Sequence, residues 1–153
     1  MKGFIFLLLG ALGASAASAE TAQTSTAWTL QDQFDNPYSL SSETRVLLIA
    51  RSMSSARLVN RAVEDKPKGF LDTRGVVFVA DIEMMPAPAK WILLPTMRSA
   101  SYRILLDRDG KVADQYAGDR NSVQWLELKD GKVAREQRFT DLDPLQRALA
   151  ALP

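Results

Sequence analysis

Hydrophobic positions along the chain change period several times, and each change predicts an element. Trp28-Thr29-Leu30 and Tyr38-Ser39-Leu40 alternate apolar with polar residues on either side of the turn former Asp35-Asn36-Pro37, so they predict a short strand and its return. Arg45–Arg51 is a continuous β-rich apolar run with an arginine at each end, the pattern of a central strand buried on both faces. The period then becomes helical. Leu58, Val59, Ala62 and Val63 share one face, Arg57, Arg61 and Asp65 another, and Ser52, Ser54 and Ser55 are capping candidates. Arg61 and Asp65 are spaced as an i,i+4 pair. Pro67 and Gly69 end or restart this helix.

Val76–Ile82 predicts a second buried strand. Pro86-Ala87-Pro88 opens a short helix through Trp91 to Leu94, which Pro95 closes. Tyr102–Leu106 predicts a third core strand. Asp109-Gly110-Lys111-Val112-Ala113 then recurs as Asp130-Gly131-Lys132-Val133-Ala134. Asp-Gly between strand-like runs is a strong hairpin signal, so Tyr102–Tyr116 and Val123–Phe139 are both expected to be hairpins. Asp141–Leu152 is a closing helix, capped by Asp141 or Asp143, with Leu142, Leu145, Ala148, Leu149 and Leu152 as its stripe. Strand–helix–strand alternation in the middle forces a parallel crossover and the hairpins add antiparallel strands. A mixed α/β sheet with helices on its faces follows.

The beginning of the chain follows a different logic. Lys2, the apolar stretch Phe4–Leu12 and the small residues Ala17-Ser18-Ala19 form a secretory signal of bacterial type. The apolar stretch falls short of the roughly 20 residues that a membrane span needs. Residues 1–19 are therefore expected to be a cleaved signal peptide, 20–26 a flexible linker, and 27–153 one domain in the periplasm or medium. Lys2 accounts for the formal net charge of +1, so the remaining chain is balanced and gives no electrostatic case for nucleic acid or an anionic membrane.

Composition removes whole classes of chemistry. The chain has no cysteine and no histidine. Disulfide exchange, thiolate catalysis, serine–histidine catalysis and histidine metal clusters are excluded. No nucleotide or zinc-protease motif is present, and no cofactor is expected. Asp107, Asp109, Asp114 and Asp119 lack the spacing of a calcium loop. Asp81 with Glu83, and Lys90 with a serine, are the residual enzymatic options. Met53, Met84 and Met85 fill core space or line an adaptable binding surface.

Three stretches carry a family resemblance. Trp28-Thr29-Leu30-Gln31-Asp32-Gln33-Phe34 through Leu40, the strand and serine-capped helix over Arg45–Arg57, and Tyr102-Arg103-Ile104-Leu105-Leu106-Asp107-Arg108-Asp109-Gly110 resemble the thioredoxin-like fold, in its exported peroxiredoxin and thiol-disulfide oxidoreductase branch. The resemblance implies a thioredoxin-like mixed sheet flanked by helices, with an added C-terminal β-hairpin at Val123–Phe139. It places Ser54 and Arg57 near the two active-site cysteines of the family, and Ser101 at its cis-proline. The scaffold would then be redox-inactive and act by binding. The candidate surface is Arg51, Ser52, Ser54, Ser55, Arg57 and Ser101, facing a protein or a small anionic ligand. The same residues also read as serine capping beside solvated arginines. The alternative function is a periplasmic enzyme using carboxylate, serine or lysine groups or a borrowed cofactor. One consequence is directly measurable: the exported protein should have an N-terminus at Glu20 by intact mass, and retention of Met1–Ala19 would contradict the signal-peptide reading.

Overall fold

A computed structural model describes residues 27–153. The expected signal peptide and linker lie outside the described residues. The chain forms β1 (Thr29–Asp32), β2 (Pro37–Ser39), β3 (Val46–Ala50), α1 (Met53–Val63), α2 (Phe70–Thr73), β4 (Val76–Asp81), α3 (Ala87–Arg98), β5 (Leu105–Asp107), a 3-10 turn (Ala113–Gln115), β6 (Val123–Lys129), β7 (Lys132–Phe139) and α4 (Leu142–Ala150). One sheet holds all the strands in the order β2-β1-β5-β4-β3-β6-β7. β3, β4 and β5 are mutually parallel, β1 lies antiparallel to β5, and β6 lies antiparallel to β3.

The sheet separates two apolar cores. Val46, Leu48, Phe78 and Trp125 point to one face, where Val59, Ala62 and Val63 of α1, Leu71 of α2 and Leu145 and Leu149 of α4 cover them. Leu47, Ile49, Val79, Leu105 and Leu126 point to the other, where Trp28, Leu40, Val112 and Ala113 cover them. Leu94 and Met97 of α3 also pack on the first core. The expected mixed sheet flanked by helices is present, with the α-helices on the first face and the 3-10 segment over the second. Topology supplies the reason. β3, β4 and β5 step across the sheet in one direction, and right-handed crossovers stepping one way keep both connections on the same side.

The two Asp-Gly copies fold differently, which corrects the first expected hairpin. At the second, Asp130 (φ 53°) and Gly131 (φ 77°) both take the left-handed backbone that a two-residue hairpin turn requires, and β6 pairs with β7 across it. At the first, only Gly110 (φ 73°) does so. The chain turns instead into the 3-10 segment, because the buried Asp107 carboxylate accepts the Ala113 N–H at 2.7 Å. β5 pairs with β4 and β1 rather than with a returning strand. Pro95 likewise does not close α3, which runs on to Arg98. Proline removes the bond to the Trp91 carbonyl, but α3 has no buried residue, so that carbonyl lies on a helix open to water. Asp65 pairs with Lys66 at 3.9 Å rather than with Arg61.

Asp107 leaves a signature in acid stability. Burial, the largest cause, raises its carboxyl pKa above the ordinary 3.8, and its Oδ1 has no partner. The folded state therefore holds a proton that the unfolded state has released in the window above 3.8, so this group's contribution to stability falls as pH rises through that window. Asp107→Asn mimics the protonated form. Urea unfolding should show the stability difference, variant minus parent, rising with pH above 3.8 and then levelling off. A pH-independent difference would contradict the assignment.

Candidate functional site

The loop between β3 and α1 is the centre of the candidate surface. Ser52 is the N-cap of α1, in extended backbone, and forms a reciprocal capping box with Ser55. The Ser55 N–H donates to Ser52 Oγ at 3.2 Å, and the Ser52 N–H donates to Ser55 Oγ at 3.1 Å. The Ser52 hydroxyl donates to the Arg120 carbonyl. Ser54 is exposed, 3.0 Å from Ser52 Oγ, and Arg57 is exposed one turn further on. Two of the three serine hydroxyls are thus committed to the helix end and to the loop opposite.

Arg51 lines the cleft but turns its guanidinium inward. It is 8% exposed, and its guanidinium donates to Gln124 Oε1 at 2.7 Å, to the Ala113 carbonyl at 3.0 Å and to the Tyr116 carbonyl at 2.5 Å. Burial pushes its pKa down, with Asp81 pulling the other way. A strand-end arginine in sequence reads as solvated. Here the fork faces inward because two carbonyls of the Ala113–Tyr116 turn and a buried glutamine converge on it.

That convergence fixes the loop Ala117–Ser122, which feeds β6 and faces Ser52. Gln124 Nε2 donates to the Ala117 carbonyl at 2.8 Å and to Glu136 Oε1 at 3.2 Å. Asp119 accepts from the Ser122 hydroxyl at 2.9 Å, from the Asn121 and Ser122 N–H groups, and from Arg138 at 2.7 Å. The Ser122 hydroxyl is the largest cause of a lowered Asp119 pKa. Gln124, Asp119 and Ser122 carry the site's second wall, and the sequence reading assigned them no such role. Glutamine in an otherwise apolar strand, Val123-Gln124-Trp125-Leu126, was the available signal.

Between these walls and the β4–α3 loop lies a cleft of about 290 Å³. Met53, Met84, Met85 and Met97 line it, with Asp81 and Arg120 among its polar members. An adjoining groove of about 540 Å³ runs between α1 and α3 over Phe78, and shares Met53, Ala56, Leu93 and Met97 with it. Arg57 and Ser101 line that groove. The structure therefore brings Arg51 and Ser52 to the cleft, and Arg57 and Ser101 to the groove beyond it. Ser101 precedes β5, two strands away from β3 in the sheet, whereas the loop opposite Ser52 precedes β6. Asn60 closes the groove's far end by accepting from the Tyr102 hydroxyl at 2.7 Å, and burial raises the Tyr102 pKa to about 12. Larger depressions of about 550 and 600 Å³ lie towards β1 and β2, where Arg103 and Asp72 pair with each other at 3.1 Å.

Solved structures share this arrangement of strands and helices. A peroxidoxin, BcpB, from Mycobacterium tuberculosis matches 82% of this chain and 91% of its own, with 18% identity and a TM-score of 0.54. StoA from Bacillus subtilis matches 79% and 94%, with 10% identity and a TM-score of 0.52. The fold is thioredoxin-like. A hypothetical protein from Sinorhizobium meliloti also shares it, covering 84% of this chain and 81% of its own at 17% identity and a TM-score of 0.56. No protein-family model matches the chain, and no curated protein matches it in sequence. The thioredoxin-like scaffold carries no cysteine anywhere, so it performs no thiol exchange. Among the described residues no helix is long and apolar enough to cross a membrane.

The Arg51 junction yields a double-mutant test. A Cβ on Gly118 would overlap the Arg51 guanidinium and lie 2.7 Å from Gln124 Oε1. Arg51→Met should destabilise the fold by about 3 kcal/mol, because two buried acceptors and one half-buried acceptor lose a charged donor. Gly118→Ala should cost about 1–3 kcal/mol alone, through overpacking. In the Arg51→Met background the Gly118→Ala cost should shrink, as measured by denaturant unfolding; strict additivity would show that the two do not share a site.

Proposed function

We propose that this protein is an exported, redox-inactive thioredoxin-like protein that works by binding a protein partner at the cleft beside α1. The observation that carries this reading is the state of α3. It is apolar on several sides yet has no buried residue: Leu93 and Met97 line the methionine cleft, while Trp91 and Ile92, which line neither cleft nor groove, stand 78% and 73% exposed. Exposed apolar surface on a helix that also walls an open cleft is the kind of surface that marks an interaction site. Arg57 and Arg120 stand at the margins of the cleft and groove, and Lys90 on α3. A partner segment suited to this surface offers an apolar side chain to the methionines and a carboxylate to the arginines.

A small anion seated on the serines is less well supported, because the capping box and the Arg120 carbonyl already engage Ser52 and Ser55. The enzymatic alternative gains no observation. The carboxyl group with the raised pKa, Asp107, is fully buried and lines neither the cleft nor the groove.

Arg57 and Arg120 are the charges to reverse, since Arg51 is structural. Tagged protein recovered from the exported fraction should capture a partner that Met53→Glu loses and that Arg57→Glu with Arg120→Glu weakens at least tenfold. Met53 is 36% exposed at the start of α1, where an acidic residue suits the helix end, so melting temperatures should stay unchanged. Capture that survives both variants would show that the cleft is the wrong surface.

A further inference from the structure

We propose that the cleft beside α1 is also a thioether site for a soft monovalent metal ion, Cu(I). Methionine placement is the starting observation. Apart from Met1, every methionine of the chain (Met53, Met84, Met85 and Met97) lines this one cleft of about 290 Å³. They come from three separate elements: the first residue of α1, the loop after β4, and the end of α3. None belongs to the fully buried core, which is built from valine, leucine, isoleucine, alanine and aromatic residues. Methionine used as core filler would be distributed through both cores and hidden. Here Met84 is 72% exposed and Met53 36%, while Met85 and Met97 pack half-buried against the edge of the first core.

The donor chemistry then selects the ion. Thioethers are neutral and polarizable, and they do not compete with protons near neutral pH. Sulfur ligands of this softness suit Cu(I), while carboxylate, carbonyl and water sites suit Mg²⁺, Ca²⁺ and Mn²⁺. The chain has no thiol or imidazole to offer, so its soft donors are these sulfurs alone. Asp81 lines the same cleft and supplies a negative charge to balance the ion. Its Oδ1 accepts the Glu83 N–H at 3.0 Å, which holds the carboxylate beside the loop that carries Met84 and Met85.

Two arginines bear on the charge balance. Arg51 lines the inner end, but its donors face Gln124 and the Ala113 and Tyr116 carbonyls. Arg120 is exposed, and its Nη1 lies 3.3 Å from Met84 Sδ. It engages one of that sulfur's two lone pairs and sets a positive charge where the cation would sit, so metal binding is opposed while the Arg120 arm stays in place. Arg120 is thereby a competitor of the ion, and its removal should tighten binding.

This inference uses the cleft of the proposed function but requires no partner, and the two fail separately. The full exported chain, labelled with ¹³C at the methionine methyls, is titrated anaerobically with Cu(I) against bicinchoninate, with Ag(I) as a redox-inert analogue and Zn²⁺ as a control. One equivalent of Cu(I) should be retained, and the methyl resonances of at least three of the four cleft methionines should move. Met84→Leu with Met85→Leu should weaken binding at least tenfold; leucine is nearly isosteric, and an unchanged melting temperature would confirm the fold. Arg120→Ala should strengthen binding several-fold. Absence of retained Cu(I), binding that ignores the leucine variants, or an equal response to Zn²⁺ would each overturn the proposal. If partner capture persists in the leucine variants while Cu(I) binding is lost, the docking reading stands and the metal is a separate property. If Cu(I) binds but no partner is captured through the cleft, the docking reading alone falls.

Discussion

A buried guanidinium, with no carboxylate in contact among the described residues, holds the candidate-site end of the sheet together. Arg51 leaves the end of β3, and its fork gathers Gln124 of β6 and two carbonyls of the Ala113–Tyr116 turn. Gln124 passes the constraint to Ala117 and Glu136, and Arg138 passes it on to Asp119. The chain has no disulfide to tie distant segments, so this polar relay sets the position of the loop that faces the α1 N-terminus. Its strength depends on completeness. The Ala113 carbonyl also accepts the Tyr116 N–H at 3.0 Å, but Gln124 Oε1 relies on the arginine, and a half-satisfied network is worse than an apolar one.

The same economy of packing explains where the open surface lies. α1 and α4 present strongly one-sided apolar stripes and are consumed by the first core. α3 arrives on that same side and touches the core through Leu94 and Met97 only partially. A groove therefore remains between α1 and α3, floored by Phe78 and Ala80 of β4. The methionines gather at its upper end, where α1 begins and the β4–α3 loop turns.

Much of the fold was legible from periodicity. The continuous apolar runs of β3 and β4, the amphipathic faces of α1 and α4, the Ser52 cap and the hairpin at Asp130-Gly131 follow from local rules that the tertiary structure does not oppose. The candidate site was legible in outline, through the strand–serine–helix sequence over Arg45–Arg57. Its second wall was not. Arg51 reads as a solvated strand end until a turn distant in sequence presents carbonyls to it. Ser101 was placed by analogy with a strand whose true neighbours are β4 and β1. Pro95 reads as a stop because local rules do not register that α3 lies open to water. In each case a long-range partner or its absence reversed a local preference.

The repeated pentapeptide Asp-Gly-Lys-Val-Ala makes that point concrete. One copy crosses a tight reversal into an exposed edge strand; the other sinks its Val112 and Ala113 into the second core. Five identical letters carry two meanings, so the information that separates them lies outside the words, in Asp107 before one and Leu128 before the other. Any pairwise alignment drawn through this chain meets two equally good places to lay the same ruler. Choosing the first displaces every residue of the Ala117–Ser122 loop from its spatial counterpart. Comparison of this protein with distant relatives has to be anchored in three dimensions before it is counted in letters.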